Sequence, residues 1–573
     1  MASTTVAEPR ASAERTSPPF ADRPPGLSAP RGRLLASAGL ALVFAIALAA
    51  RLLARDVVIT ADEDNWMRRA GGFTYGLMTG QLGRTYQNGH PGVTTMWVAT
   101  LTLGPERMIQ YADRVHGLRL VGRVPGFWQA LVDARVGFAV ATALLVGLIA
   151  ALTWRLVGPG PGLLAGVVVG LDPFSLAISQ LVHMDALLSG CMVASVLAAL
   201  VTWQGRGGRG WLALSGALAG LALLSKVPAV FLLAFVPALG LVLRWFGGSR
   251  ASRSVVASAR TLSLDLLIFG ATFVVTVVAL WPAIWVLGPV EVFGRVAEFA
   301  RETGGQPHEQ GTFFWGEPRA DPGALFYPVA LAFRLVPHTI VGLLLLAGFW
   351  QRLPRPHRST ALALLTYGLG FLLMMTLGAK KFDRYVLPIF PALGVLAGLG
   401  LALGAAGLGR RLGERSAWAT PALGTLMLGL GAWPAAAAYP YFLSYYNPLL
   451  GGGTAAQRTV MVGNGEGLDQ VARWLNDRPN AAELYVVSHS FDILQPLIAA
   501  SGEPLRDRVP SNADYLVLYR FQMQIGHSAR VVTEYLGREP EHVVRIGDVE
   551  YARIYRGPKQ QRAAEVDDRE PAA

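Results

Sequence analysis

The feature that most constrains this chain is a series of apolar runs, each about as long as a helix that crosses a bilayer. Such a helix needs about 20 apolar residues, because each residue adds about 1.5 Å and the hydrocarbon is about 30 Å thick. The mean hydropathy of the 573 residues is +0.39, and only 15% of them are charged. The sequence therefore predicts a mainly α fold, a polytopic transmembrane helical bundle. About eleven spans are expected, at residues 34–53, 131–154, 160–178, 184–203, 211–225, 229–245, 262–287, 326–350, 360–378, 385–407 and 417–438.

Arginines are concentrated in four short connections between the expected spans, which together hold twelve arginines and one acid. Basic residues in short loops mark the cytoplasmic side of a membrane protein. The bias therefore predicts a multi-pass protein of the cell (plasma) membrane with a cytoplasmic N-terminus. It also accounts for most of the net charge of +12, so a nucleic-acid partner is not expected. The four connections are 205–210, 244–260, 351–358 and 409–416.

The ends of the chain differ from its apolar middle. The first 30 residues are rich in Ala, Ser, Pro and Arg and have no apolar periodicity. After Tyr439 the apolar runs shorten to strand length, as in TVMVG (459–463), ELYVVS and ADYLVLYR. Cys191 is the single cysteine, so no intrachain disulfide is possible. The expected organisation is a disordered cytoplasmic tail at 1–30, a transmembrane domain at 31–440 with outer loops 54–130 and 289–325, a soluble extracytoplasmic α/β domain at 450–556, and a disordered tail at 557–573.

Three consecutive acids, Asp62, Glu63 and Asp64, follow the first expected span in VITADEDNWMRRA. The predicted orientation puts them outside, where nucleotide sugars are not normally available. Any chemistry there must use a donor delivered through the membrane. Asp62 is a candidate general base for an acceptor hydroxyl, provided that the hydroxyl is held within hydrogen-bond reach. A solvated loop carboxylate is the alternative.

Other ionisable residues lie at the edges of expected spans, where they are costly and therefore candidates for function. His183 and Asp185 lie in HMDALLSG at the start of the fourth span, where Asp185 also fits an acid favoured by the helix dipole. Lys226, in LLSKVPA, is either a phosphate contact or a snorkelling lysine. Arg135 is a further phosphate candidate, with a pair to Asp133 or snorkelling as the alternative.

The motif AKKFDRYVLPIFP places Lys380, Lys381 and Arg384 together at the outer surface, against the positive-inside bias. Such a cluster suits an anionic headgroup, because arginine gives bidentate contacts and lysine gives a point charge. Weaker candidates for binding a sugar or an acceptor are Asp64, His90, His183, His308, Glu317 and Tyr385. The histidines and nearby acids have no recognisable ligand spacing, so no metal or other cofactor is predicted, and a divalent cation is not favoured.

In order along residues 34–440, four motifs resemble the integral-membrane GT-C glycosyltransferases, the superfamily of the protein O-mannosyltransferases and aminoarabinose transferases. They are the acidic pair after the first span, HMDALLSG, LSKVP and KKFDRYVLPIFP. The resemblance implies a sugar donor carried on a polyprenyl phosphate, transferred with inversion to an extracytoplasmic hydroxyl. It implies Asp62 as base, with Glu63 and Asp185 shaping the site. It also implies phosphate contacts from Lys226, Lys380, Lys381 and Arg384.

Two features depart from the family pattern. The third acid, Asp64, leaves open which carboxylate is the base. The C-terminal domain is not part of the pattern, and its GNGEG lacks the Lys-Ser/Thr of a phosphate loop, so it is interpreted as a strand-to-helix turn. The acceptor (protein, lipid or glycan) and the sugar (mannose or another hexose or pentose) stay open. A transporter or lipid-linked-sugar flippase is the main alternative, and a structural assembly factor is a third, although no internal duplication is visible.

Overall fold

Helices make up most of the structure, and a five-stranded sheet lies near the C-terminus. The computed structural model describes residues 30–57, 59–112, 124–246, 255–412, 429 and 431–567. The expected tail at 1–30 therefore lies almost wholly outside the described residues, as does most of the expected span 417–438.

Six of the described helices are long and apolar enough to cross a membrane, and two bent helix pairs raise the number to eight if each pair is one span. The chain is thus a multi-span membrane protein, but the expected count of about eleven is not confirmed. The six are Phe127–Val157, Asp185–Trp203, Val227–Arg244, Ala259–Leu280, Arg355–Thr376 and Ile389–Arg411. Shorter apolar helices are Ser37–Leu52, within the helix Pro30–Leu52, and also Val93–Leu103 and Gly210–Ser225.

Two expected spans are broken rather than continuous. Pro159–Leu171 and Pro173–Ser179 meet at 63°, and Phe326–Arg334 and Pro337–Gly348 meet at 108°. A proline supplies no N–H and begins the second helix of each pair. At the first break the Asp172 carboxylate caps the new helix by accepting from the Ser175 N–H at 2.8 Å. The pair Asp172-Pro173 favours a capped helix break in the sequence, as the structure has it, whereas the bend at Pro337 was not predicted.

Glycines let several membrane helices approach closely. A Cβ on Gly400 would lie 1.8 Å from the Gly342 carbonyl oxygen, and one on Gly398 would lie 2.5 Å from the Ala165 nitrogen. Small residues allow such contacts, and van der Waals packing then holds helices together within lipid. The helix Ile389–Leu412 is therefore packed between Pro337–Gly348 and Pro159–Leu171.

Outside these spans, short helices and a hairpin form the rest of the first 440 residues. The helical spacing of Trp66, Ala70 and Phe73 predicts an amphipathic helix over 65–81, and it is present as Ala61–Met78, which buries these side chains and Met67. The other elements outside the spans are Leu82–Thr85, Pro105–Met108, Ile109–Tyr111, Ala283–Leu287, Pro289–Gly305, the strands Thr312–Phe314 and Glu317–Arg319, Trp350–Arg352 and Asp383–Val386. Two of the spans correspond to Val227–Val230 with Phe231–Phe246 and to Val255–Leu280.

The C-terminal region is an α/β unit, as expected. Its strands lie in the order Ser501–Pro504, Tyr485–Ser488, Tyr515–Tyr519, Val549–Arg556 and His542–Ile546. The first three are parallel and the last two pairings are antiparallel. The core side chains Val486, Val517 and Ile554 are fully buried, which stabilises the unit by about 1.5–3 kcal/mol for each side chain.

Two parts of this region differ from expectation. The expected strand at 459–463 forms only a single bridge, between Val460 and Phe314. Part of the expected disordered tail at 557–573 is the helix Pro558–Asp567, whose Lys559 and Gln560 bind the buried Asp514 carboxylate. The remaining helices are Phe442–Ser444, Pro448–Leu450, Gly452–Thr459, Leu468–Asn476, Ala481–Glu483, Phe491–Leu494, Gln495–Leu497, Arg520–Gln524 and Ala529–Leu536.

Candidate functional site

Four separate parts of the chain bring ionisable side chains together at the ends of membrane helices. The Asp62 carboxylate lies 2.6 Å from Arg384 Nη1 and 3.7 Å from His183 Nε2. Lys226 follows the last residue of Gly210–Ser225 and reaches the same place. We call this group the Asp62 cluster, which consists of Asp62, His183, Asp185, Lys226, Arg384 and Tyr385.

Asp185 is the second acid of the Asp62 cluster. Its Oδ1 accepts from Lys226 Nζ at 2.8 Å, and its Oδ2 lies 3.4 Å from His183 Nδ1 and 3.7 Å from Arg384 Nε. Arg384 therefore lies between the two carboxylates. The two acids differ in access, because the side chain of Asp185 is 1% exposed whereas that of Asp62 is 37% exposed. Asp62 is therefore the acid of the two that solvent and a ligand can reach.

The position of Asp62 is fixed by its neighbours in the first helical turn. Thr60 and Glu63 form a capping box at the start of Ala61–Met78. Glu63 is fully buried and accepts from Arg135 Nε at 2.8 Å and Nη2 at 2.5 Å. It also accepts from the Val182 N–H at 3.0 Å, which ties the helix start to the segment that carries His183.

Arg135 thus lies in a buried pair with Glu63, where it also donates to the Arg55 carbonyl oxygen and packs 5.6 Å from the Trp128 ring. The sequence predicted Arg135 as a phosphate contact and considered Asp133 as its partner. Instead, Asp133 pairs with Arg107 at 2.7 Å. Glu63 and Arg135 neutralise each other's charge in this buried pair. The geometry therefore favours a structural role for both residues.

The charges of the Asp62 cluster are balanced. Burial alone would raise the pKa of Asp62, but the cations Arg384 and Lys226, with Arg384 contributing most, hold it well below its usual value. Burial lowers the pKa of His183, which outweighs the attraction of Asp185 and keeps the ring neutral near pH 7. Two carboxylates then face two cations. An arriving anion competes with the carboxylates for Lys226 and Arg384.

Aromatic rings border the cluster. Lys226 Nζ lies 4.5 Å from the Tyr385 ring centre, within the range of a cation–π contact. Trp66 meets His183 edge-on at 6.5 Å, and the Arg69 guanidinium lies 4.7 Å from the centre of the Trp66 ring. These rings hold the charged groups in place and narrow the access of water.

A second ion pair supports the turn that carries Arg384. Asp383 accepts from Arg334 Nε at 2.9 Å through Oδ2 and from the Arg384 N–H at 2.7 Å through Oδ1. Arg334 also donates to the carbonyl oxygens of Leu443 and Tyr445, at 2.7 and 3.0 Å. Arg334 was not among the residues predicted from the sequence. An arginine inside an apolar helix was the signal that could have found it.

The other predicted residues lie around the cluster or away from it. Lys381 is buried and binds Asp321 at 2.6 Å and the Gly378 carbonyl oxygen at 2.7 Å. Glu317 is exposed and pairs with Arg319. Asp64 is half-buried in the first turn of Ala61–Met78. The structure therefore brings Asp62, His183, Asp185, Lys226, Arg384 and Tyr385 into one site and leaves Lys381, Glu317 and Arg135 with other partners.

His90, His308 and Lys380 lie on the side of the cluster that faces the C-terminal unit. His90 packs edge-on against Phe299 at 4.9 Å, and burial lowers its pKa to about 3. His308 and Lys380 line a cavity of about 550 Å³, and burial lowers the pKa of His308 to about 4. Within the described part of the chain, no group of three or more His, Cys, Asp or Glu residues has the arrangement of a metal site.

GNGEG forms the predicted turn before Leu468–Asn476. Gly463, Gly465 and Gly467 have φ angles of 101°, 109° and 81°, which favour glycine. Glu466 is buried, and the Tyr519 hydroxyl donates to it at 3.3 Å. Together with Arg384, Glu466 lines a small crevice, so the C-terminal unit contacts the Asp62 cluster.

A known protein family matches part of this chain. Residues 119–281 match the family model described as dolichyl-phosphate-mannose-protein mannosyltransferase. This match confirms the resemblance to GT-C glycosyltransferases. It covers His183, Asp185 and Lys226, whereas Asp62 and Arg384 lie outside it. Among curated proteins, no match to the chain is found.

Solved structures of the same class resemble the chain over greater lengths. ArnT from Cupriavidus metallidurans, bound to undecaprenyl phosphate, is 16% identical, with 92% of this chain and 98% of that chain covered and a TM-score of 0.43. The archaeal oligosaccharyltransferase AglB from Archaeoglobus fulgidus is 12% identical, with 86% and 70% covered and a TM-score of 0.43. The Pmt1-Pmt2 protein O-mannosyltransferase of S. cerevisiae is 17% identical, with 50% and 40% covered and a TM-score of 0.33. These scores are below 0.5, so the likenesses assign no role to any residue.

Proposed function

We propose that this protein is a membrane glycosyltransferase that moves a sugar from a polyprenyl-phosphate donor to an extracytoplasmic hydroxyl with inversion. The observation that carries the proposal is the Asp62 cluster. It joins an accessible carboxylate to Arg384 at 2.6 Å and a buried carboxylate to Lys226 at 2.8 Å. Such a site offers a proton acceptor and two cations for a phosphate within one small space.

The proposed reaction is a single displacement at the anomeric carbon. The acceptor oxygen forms a bond to that carbon while the bond between the carbon and the phosphate oxygen breaks. The leaving lipid phosphate keeps the electron pair, and Asp62 takes the hydroxyl proton. Lys226 and Arg384 stabilise the charge that develops on the phosphate. Asp185 positions both cations, because it contacts Lys226 and lies near Arg384.

Donor binding would also activate Asp62. In the structure described here, Arg384 lowers the pKa of Asp62, which keeps the carboxylate ionised but makes it a weak base. A phosphate that recruits Arg384 removes part of this attraction. The pKa of Asp62 then rises, and with it the ability of the carboxylate to accept a proton. The site would therefore be ready for proton transfer only when the donor is present.

The proposal includes a location and a domain organisation. The Asp62 cluster and the C-terminal α/β domain at 450–556 face the outside of the plasma membrane, and the N-terminus is cytoplasmic. The catalytic domain spans 31–440, with about eleven crossings of the bilayer. The arginine-rich connections between spans support this orientation. The sugar is a hexose or pentose such as mannose, and the acceptor is a protein, lipid or glycan.

The test compares purified wild type with Asp62→Asn, using a panel of radiolabelled polyprenyl-phosphate sugars and membrane acceptors. Asp56→Asn is the matched control, because Asp56 is an exposed carboxylate a few residues away. We expect transfer by the wild type and by Asp56→Asn, and loss of transfer in a well-folded Asp62→Asn.

Two results would contradict the proposal. Transfer that survives in Asp62→Asn would remove the base role from Asp62. The absence of transfer from every donor, combined with movement of the donor across a proteoliposome membrane, would favour the flippase alternative.

A further inference from the structure

We infer that the cavity of about 550 Å³ beside the Asp62 cluster is a carbohydrate-binding site that holds the acceptor. The inference deepens the proposed function, and the identification of the bound carbohydrate as the acceptor rests on that function. The cavity lies between the helix Pro289–Gly305, the loop that follows it and the C-terminal unit, which contributes Met461, Phe521 and Ile525. We call it the Phe299 cavity.

The ring of Phe382 separates the Phe299 cavity from the Asp62 cluster. Phe382 lines the cavity, and the Arg384 guanidinium lies 4.9 Å from the centre of the same ring. Phe299 also lines the cavity, and its other side meets His90 at 4.9 Å. A ligand in the cavity is thus one side chain away from the group that pairs with Asp62. An acceptor bound in the cavity would therefore lie next to the group that pairs with Asp62, as the proposed proton transfer requires.

The lining of the Phe299 cavity suits a hydroxyl-rich ligand. Phe299, Phe382 and Phe521 offer flat apolar surface, to which Pro307, Met461 and Ile525 add, whereas the remaining side chains of the lining are polar. Ligand sites combine such apolar walls with a few polar groups that fix orientation. Carboxylates accept hydrogen bonds from hydroxyls, and amides both donate and accept. The carboxylates are those of Glu302 and Glu309, and the amides are those of Gln306 and Gln310.

The charge of the lining argues against an anionic ligand. Glu302 and Glu309 outnumber Lys380, and His308 adds no positive charge near pH 7, because burial and the nearby Lys380 and Arg384 lower its pKa to about 4. A phosphorylated or acidic acceptor would be repelled. A neutral glycan fits both the charges and the aromatic walls.

The test measures binding rather than transfer. Full-length protein in nanodiscs is titrated with short neutral oligosaccharides of mannose, glucose or arabinose, and separately with an uncharged peptide rich in serine and threonine. The variants are the double substitution Glu302→Gln and Glu309→Gln, and Phe521→Ala. Matched controls are Glu291→Gln, which lies on the same helix near its other end, and Leu536→Ala, which is exposed on another helix of the C-terminal unit.

We expect one oligosaccharide to bind the wild type and Asp62→Asn equally. Its affinity should fall about ten- to hundredfold in the cavity variants, the size of a lost charged hydrogen bond, and stay unchanged in both controls. Binding that the cavity variants leave intact would overturn the inference, as would failure of every probe to bind. Binding of the peptide alone, weakened by the cavity variants, would overturn the carbohydrate assignment.

The binding data also separate the inference from the proposed function. If no donor supports transfer but the oligosaccharide pattern holds, the proposed function fails and the cavity is still a carbohydrate site. If transfer depends on Asp62 and the cavity variants bind normally, the proposed function stands and the inference fails.

Discussion

Two buried ion clusters lie at opposite ends of one helix, Gly210–Ser225. Lys226, after its C-terminal end, belongs to the Asp62 cluster, and Arg209, before its N-terminal end, belongs to a second group around Asp265. The helix has 16 residues, so the ends are about 24 Å apart. We call the second group the Asp265 cluster, which consists of Trp203, Arg209, Arg244 and Asp265.

The two clusters differ in how completely their carboxylates are hydrogen-bonded. In the Asp265 cluster, Oδ1 accepts from Arg209 at 2.9 Å, and Oδ2 accepts from Arg244 at 3.0 Å and Trp203 at 3.3 Å. In the Asp62 cluster, Asp185 Oδ2 is buried and has no hydrogen-bond partner among the described residues, whereas a buried guanidinium nitrogen without a partner occurs in both clusters, Arg384 Nε in one and Arg244 Nε in the other. A buried polar group without a partner is costly. The open carboxylate oxygen therefore suits the Asp62 cluster to a ligand, whereas both carboxylate oxygens of Asp265 are already hydrogen-bonded.

The comparison teaches that buried charge alone does not identify a functional site. The Asp62 cluster contains two aspartates and two cations, the Asp265 cluster contains one aspartate and two cations, and both satisfy the rule that ionisable groups at membrane depth are candidates. What separates them is a buried carboxylate oxygen without a hydrogen-bond partner, Asp185 Oδ2, together with access to the cluster. Asp62 supplies the access, since its side chain is 37% exposed, whereas the side chain of Asp265 is 0% exposed.

The largest expected effect is a contrast in activity between the two clusters. Asp62→Asn should reduce transfer about 10²–10⁴-fold, the usual contribution of a general base, while the unfolding temperature stays near that of the wild type. Asp265→Asn should lower the unfolding temperature and leave the rate per folded molecule unchanged. Turnover and thermal unfolding in the same detergent check both. A large loss of turnover in folded Asp265→Asn would remove the distinction between the clusters.

The next effect concerns the acid beside Asp62. Glu63→Gln should destabilise the protein by about 3–5 kcal/mol, because Arg135 keeps a buried charge without its partner. Denaturant unfolding measures the change. A double variant with Arg135→Met should recover part of the lost stability. If Glu63→Gln unfolds like the wild type but cannot transfer sugar, Glu63 acts in the reaction rather than in the fold.

A smaller effect is expected from the cation between the two carboxylates. Arg384→Gln should raise the KM for the donor about ten- to hundredfold, because it removes a charge-assisted contact to phosphate. Lys381→Gln is the comparison, since Lys381 is occupied by Asp321 at 2.6 Å. Steady-state kinetics with a fixed acceptor give both values. Equal effects of the two substitutions would mean that the whole KKFDRY segment, rather than Arg384, binds the donor.

The smallest effect is a shift in pH dependence. Attraction by Arg384 contributes to the low pKa of Asp62, so the wild type should keep its activity as the pH falls to about 4. The same attraction adds stability above the unfolded pKa, which is lost only as the pH falls through the lower folded pKa. In Arg384→Gln the pKa of Asp62 rises, and the acid limb of the kcat/KM profile should move to higher pH. An unmoved limb would assign it to another group.

Much of the candidate site could be predicted from the sequence, because its members are ionisable residues at the edges of apolar runs. Asp62, Asp185, Lys226 and Arg384 each follow from that rule, and the structure brings them together. The pairing of Glu63 with Arg135 could not be predicted, since the residues are 72 positions apart and no local spacing links them. Arg334 was missed because an apolar run was interpreted as one continuous span.

The fold was predictable to a similar extent. The long apolar runs indicated membrane helices, and apolar runs of strand length indicated strands such as Tyr485–Ser488 and Tyr515–Tyr519. The strands Ser501–Pro504 and Val549–Arg556 were not predicted. The first contains Gly and Pro, which are rare in strands, and the second carries charged residues along its length. Its pairing partners on both sides, rather than its composition, hold it in the sheet.

The division of the Phe299 cavity between two parts of the chain has a consequence for engineering. Phe521 and Ile525 come from the C-terminal unit, whereas Lys226 and Asp62 come from the membrane part. Grafting a different C-terminal unit onto the same helices would replace one wall of the cavity without altering the donor contacts. If the protein has the proposed function, chimeras joined near Gly451, which keep the contacts of Arg334 with Leu443 and Tyr445, would accept new glycans while they continue to use the original lipid-linked sugar.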